Sequence, residues 1–149
     1  MAGNEHVDLG FWFTGFFQGV NAIAAPQRDR VLTACARSCL TRGTMSYYGE
    51  LFEQVDGDLD AFFRALDGVD GLAAKVVEPA RAWMLSFLAC TCPLHTQGYV
   101  NTPALCACSR QSVLFALHEL WAAERFTVEL KGSIIAGDPR CVMAIERIS

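Results

Sequence analysis

Cysteine is the side chain here best equipped for chemistry, and the 149 residues hold seven of them. Four form two Cys-x-Cys pairs, Cys90/Cys92 and Cys106/Cys108, with thirteen residues between the pairs. In an extended chain, residues two apart project to one side, so each pair can present two sulfurs to one point. Four thiolates meeting tetrahedrally make a structural zinc site, although Cys-x-x-Cys is the better chelate. The same sulfurs have a nucleophilic use. Cys108 precedes Ser109 and Ser112, either of which can cap a helix, and the free amides at a helix start lower a thiol's pKa and supply thiolate. Cys108, or Cys106 beside it, is then the candidate nucleophile, with His95 in the same loop as candidate base. His118 lies ten residues into the predicted helix beside Leu114 and Trp121, and reads as a histidine at the edge of the core. Cys35, Cys39 and Cys141 are the remaining candidates, as thiols that line a ligand pocket.

The acidic residues carry a weaker pattern. Asp56, Asp58 and Asp60 imitate the start of a calcium loop, but its sixth position is Ala61 and its twelfth Asp67, where the loop needs Gly and Glu. They read as the capping of a helix, since carboxylates suit a helix N-terminus. No Gly-rich phosphate loop, nucleophile elbow or metalloprotease helix is present.

These side chains need elements to hold them. Leu9, Trp12, Phe13, Phe16, Phe17, Val20 and Ile23 follow helical spacing, with Gly15 and Gly19 on the other face, until Pro26 ends that helix or starts the next. Gln27 to about Arg42 predicts a second helix with Val31, Leu32, Cys35, Ala36, Cys39 and Leu40 on its apolar face and Gly43 as its stop. That reading buries Cys35 and Cys39 four residues apart. Asp58 to Leu66 predicts a short third helix. Arg81–Cys90 reads as a strand running into Cys-Thr-Cys-Pro. A helix capped by Ser109 or Ser112 continues to about Glu124, on Val113, Leu114, Leu117, Leu120 and Trp121. Phe126, Val128 and Leu130 then alternate with Thr127, Glu129 and Lys131, and Cys141, Met143 and Ile145 return after the Gly137-Asp138-Pro139 turn. The order predicts an α+β fold over residues 1–149, with N-terminal helices on a small antiparallel sheet and a C-terminal β-hairpin.

Composition bounds the rest. The length suits one domain with its own core. Twelve basic and sixteen acidic residues give a net charge of −4, the opposite of a nucleic-acid footprint. Hydrophobic residues make up 52% and charged ones 19%, which excludes disorder. Leu9–Gln27 and Ala82–Ser109 lack charge, but polar residues, glycines and prolines interrupt both, so neither reads as a membrane span. The first basic residue is Arg28, and Glu5 and Asp8 stand where a leader would be positive, so the expected compartment is the reducing cytosol, with free thiols.

Cys90-Thr91-Cys92-Pro93-Leu94, Leu105-Cys106-Ala107-Cys108-Ser109, Val128-Glu129-Leu130 and Gly137-Asp138-Pro139-Arg140-Cys141 occur in that order. This pattern resembles a family of small bacterial proteins similar to L-2-amino-thiazoline-4-carboxylic acid hydrolases. The closing hairpin is also similar to that of 4-vinyl reductase domains, and Cys35-Ala36-Arg37-Ser38-Cys39 to a cysteine pair on an early helix of the same family. The resemblance covers roughly residues 83–147 and that helical pair. It implies a ligand pocket between helices and an antiparallel sheet, and opening of a C–N or C–S bond in a small heterocycle. The expected function is therefore a small-molecule-binding domain with a cysteine-lined pocket, hydrolytic through thiolate attack. The alternative is a non-catalytic zinc- or thiol-based sensor. No cofactor is called for beyond that alternative zinc, held by Cys90, Cys92, Cys106 and Cys108. The apolar first helix and the low charge predict a homodimer.

Overall fold

The computed structural model describes residues 9–148; Glu5 and Asp8 lie outside them. Four helices come first, α1 (Gly10–Ala22), α2 (Ala25–Leu40), α3 (Thr44–Gln54) and α4 (Leu59–Leu66). Strands β1 (Leu72–Glu78) and β2 (Ala82–Phe87) follow, then the single turn α5 (Pro93–Thr96) and a 3-10 turn over Pro103–Leu105. Helix α6 (Cys106–Leu120) and strands β3 (Arg125–Gly132) and β4 (Cys141–Ile148) close the chain. The sheet order is β1-β2-β4-β3 with every neighbour antiparallel, so the fold is α+β as expected.

The core lies between the sheet and helices α4 and α6. Phe62, Phe63 and Leu66 of α4 meet Trp83 and Leu85 of β2, Leu117 of α6 and Trp121 just past its end, and Met143 and Ile145 of β4. Phe63 stacks on Trp83 with ring centroids 5.2 Å apart. Truncating such a buried aromatic costs about 3–5 kcal/mol in lost burial and a residual cavity.

Three aspartates, Asp58, Asp60 and Asp67, hold the local backbone through their carboxylates. Asp58 caps α4, its carboxylate accepting from the Ala61 amide at 2.8 Å. Asp60 reaches the β1–β2 turn, accepting from the Ala80 amide at 2.9 and 3.0 Å and from Trp83 Nε1 at 2.8 Å. Ala80 sits at φ 62°, a left-handed conformation that costs a non-glycine residue energy, so Asp60 fixes a turn that would otherwise relax. Asp67 accepts from the Ala74 amide at 3.0 Å.

Pro26 lies in the first turn of α2, and Gly43, at φ +145°, follows its end. The burial of α2 corrects the expectation. Its buried stripe is Leu32, Ala36 and Leu40, four apart. Val31, Cys35 and Cys39 form the next stripe round the helix and are exposed. Helix α3 was not expected; Gly49 in its middle and its Tyr-rich start obscure the apolar spacing of Tyr48, Leu51 and Phe52. Among the described residues, no helix is long and apolar enough to cross a membrane.

Candidate functional site

Helix α6 begins earlier than its serines suggest. Thr102 is the capping residue, its hydroxyl accepting from the Ala104 amide at 3.4 Å, and Pro103 starts the 3-10 turn that runs directly into α6. Cys106 and Cys108 therefore occupy the first turn of α6 and do not precede it. On a helix, residues two apart point roughly 200° apart, so this pair cannot aim both sulfurs at one point. It divides them between two groups.

The inner group is Cys106, Cys141 and Ser133. Cys106 is 5% exposed, with its sulfur 3.1 Å from Ser133 Oγ. Cys141 opens β4 in register with Phe87, on the same strand face as the core residues Met143 and Ile145, and its sulfur accepts from the Ile134 amide at 3.4 Å. The β3–β4 turn holds Ser133 in place: its amide donates to Asp138 at 2.8 Å, and its hydroxyl accepts from the Ala136 amide at 3.3 Å. Burial pushes the Cys106 thiol up; the Ser133 hydroxyl opposes this, while Cys141 and Cys90 add to it.

The outer group gathers on the seam where α2 packs against α6. Arg110 binds Asp29 at 3.4 Å and donates to the Val128 carbonyl at 3.2 Å, and Thr33 donates to the buried Gln111 at 3.1 Å. Farther along the seam, Cys108 of α6 faces Cys35 and Cys39 of α2, with Cys92 from the loop after β2. Burial pushes the Cys108 thiol up to about 12, and the nearby Cys35, Cys39 and Cys92 push it further in the same direction. Burial also raises Cys92; the Leu94 and His95 amides oppose the rise, and Cys90 and Cys39 add to it. All seven cysteines are free thiols.

The sequence-based site is thus partly assembled. The structure brings Cys35, Cys39, Cys92 and Cys108 together, and separately Cys106 with Cys141; Cys90 lies within electrostatic reach of both groups. The lowered pKa expected for Cys108 is opposed by its surroundings, because the thiol is half-buried among other thiols and α6 is preceded by a helical turn. Cys90 and Cys92 follow β2, whereas Cys106 and Cys108 point to different sides of α6. Among the described residues, no three His, Cys, Asp or Glu side chains are placed to hold a metal ion. His95 is committed elsewhere, with Nδ1 2.8 Å from the Val100 carbonyl. His118 is exposed and lies against Phe126, about 15 Å along α6 from Cys108 at a rise of about 1.5 Å per residue.

Cysteines line no part of a cleft beside α1. This cleft, about 480 Å3, opens between α1 and residues 98–102. Thr14, Gln18 and Asn21 line it from α1, and Asn101 and Thr102 from the loop. Its floor is Phe17, which packs with Val100 and Leu105 in a second small core that Cys92 also touches. On the sequence alone, Gly15, Gln18, Gly19 and Asn21 read as a packed face of α1 opposite its aromatic ridge. The 14, 18, 21 spacing was the available signal.

No protein-family model and no curated protein matches the chain. Among solved structures, it is similar to trafficking protein particle complex subunit 3 from Naegleria fowleri, crystallised covalently bound to palmitic acid. The TM-score is 0.46 at 12% identity, over 95% of this chain and 91% of that one.

Proposed function

We propose that the chain is a thiol-based sensor and binding module of the reducing cytosol that does not turn a ligand over. One observation carries the reading: Cys108 of α6 sits among Cys35 and Cys39 of α2 and Cys92 of the loop after β2, two of these thiols exposed. A nucleophilic cysteine needs thiolate near neutral pH and a base to generate it. Cys108 is protonated there, and His95 faces a backbone carbonyl. Grouped thiols, two of them exposed, suit reversible oxidation instead. Exposed Cys35 or Cys39 meets the oxidant first, and a neighbouring cysteine resolves the adduct to a disulfide. Heterocycle hydrolysis, which the family resemblance implies, is the rival reading. The net charge of −4 gives no support for a nucleic-acid partner.

Diamide tests the proposal. Two thiols form one disulfide and pass two electrons and two protons to the azo bond, which becomes a hydrazine. Thiol titration of the native protein should fall in even steps and return fully with dithiothreitol. An unchanged thiol count contradicts the proposal, as does Cys108-dependent opening of a thiazoline ring.

We also propose that two copies pair through α1. Phe11 is 75% and Trp12 57% exposed, and a Cβ built on Gly15 or Gly19 would meet nothing within 4 Å. Such aromatic exposure on one helix favours a protein partner over water.

A further inference from the structure

We propose that the cleft between α1 and residues 98–102 is a binding site for an uncharged heterocycle with an amide-like edge, such as a nucleobase carrying no phosphate. The spacing of Thr14, Gln18 and Asn21, at i, i+4 and i+7, puts all three on one face of α1, and Asn101 faces them from the loop. Thr14 is partly committed, donating to the Gly10 carbonyl at 2.8 Å. The carboxamides of Gln18, Asn21 and Asn101 make no hydrogen bond within the described residues. Each offers an N–H2 donor beside a carbonyl acceptor. That edge pairs two bonds at a time with a ring that has a donor next to an acceptor, as Asn and Gln do with adenine.

The electrostatics select against ions. Every described residue lining the cleft is uncharged. Against these described residues a phosphate or carboxylate would lose water without gaining a cation, and an ammonium without gaining a carboxylate. The volume of about 480 Å3 falls within the range of about 300–1,000 Å3 usual for small-molecule sites. Buried Phe17 supplies the apolar floor against which a flat ring can lie. The site contains no cysteine, so it does not depend on the thiol reading.

Titration calorimetry and NMR on the full chain test this with adenine, uracil, adenosine, AMP and glucose. The bases and the nucleoside should bind, and AMP should bind at least about tenfold more weakly than adenosine, a difference of about 1.4 kcal/mol. Gln18→Leu combined with Asn101→Leu should weaken adenine by about tenfold or more. Both side chains are exposed, so the melting temperature should hold, which separates a lost site from a lost fold. No binding of either base at millimolar concentration overturns the proposal. AMP binding more tightly than adenosine, glucose as the sole ligand, or an unaffected double variant overturns it equally.

Discussion

Among the seven cysteines, neighbours decide what each sulfur can do. Cys108 looked like a thiol activated by a helix start; burial beside Cys35, Cys39 and Cys92 makes it the reverse. Alkylation with iodoacetamide at pH 7.5, mapped by mass spectrometry, should therefore label exposed Cys35 and Cys39 well before Cys108 and buried Cys106. A pKa of about 12 leaves Cys108 only about one thiolate in ten thousand at pH 8. Cys108 labelled first would refute this account. The same shift has a stability consequence. Burial raises both Cys108 and Tyr48, so each holds its proton more tightly in the folded state. For Cys108 that contribution is complete below about pH 9 and is lost as pH climbs toward about 12. Cys108→Ala should lose less stability between pH 9 and 12 than the parent in urea titrations. The group's membership was legible from residue types and spacing. Burial was not, since Val31, Cys35 and Cys39 match helical spacing as well as Leu32, Ala36 and Leu40 do, and only the position of α6 chooses between the stripes.

At the scale of elements, β2, β3, β4 and α4 were legible because their patterns are local: Phe126, Val128 and Leu130 alternate, and Asp58 announces a cap; β1 (Leu72–Glu78) was not, since its small residues and Lys75 break the alternation. Pro103 misled. A proline in a polar loop reads as a breaker, yet after Thr102 it starts a turn that feeds α6 and carries Cys106 and Cys108 into the helix. Asp60 links two elements that no local pattern connects. Asp60→Ala should cost about 1.5–3 kcal/mol, because the Ala80 amide, shared between both oxygens, and the Trp83 indole N–H end on one carboxylate. Ala80→Gly should stabilise by up to about 1 kcal/mol by relieving the left-handed strain at φ 62°. Chemical denaturation measures both; a neutral Asp60→Ala would mean the turn holds itself.

For the whole molecule, composition foretold a surplus of apolar surface but not its place. It lies on α1, where Phe11 and Trp12 face outward while Phe17 and Val20 pack inward. Sedimentation should give twice the 16.3 kDa chain mass at micromolar concentration, and Trp12→Ser should return the single chain. A parent protein that sediments as the single chain would exclude the pairing. The cleft beside α1 was illegible because its two walls, residues 14–21 and 98–102, are some eighty positions apart and each looks like ordinary polar surface. The fold sorts the thiols into two groups across α2, α6 and β4. Disulfide mapping by mass spectrometry after brief diamide treatment should therefore find a bond from Cys108 to Cys35 or Cys39, and a second between Cys106 and Cys141. Bonds that instead join Cys106 to Cys108, or link only separate chains, would rule that sorting out.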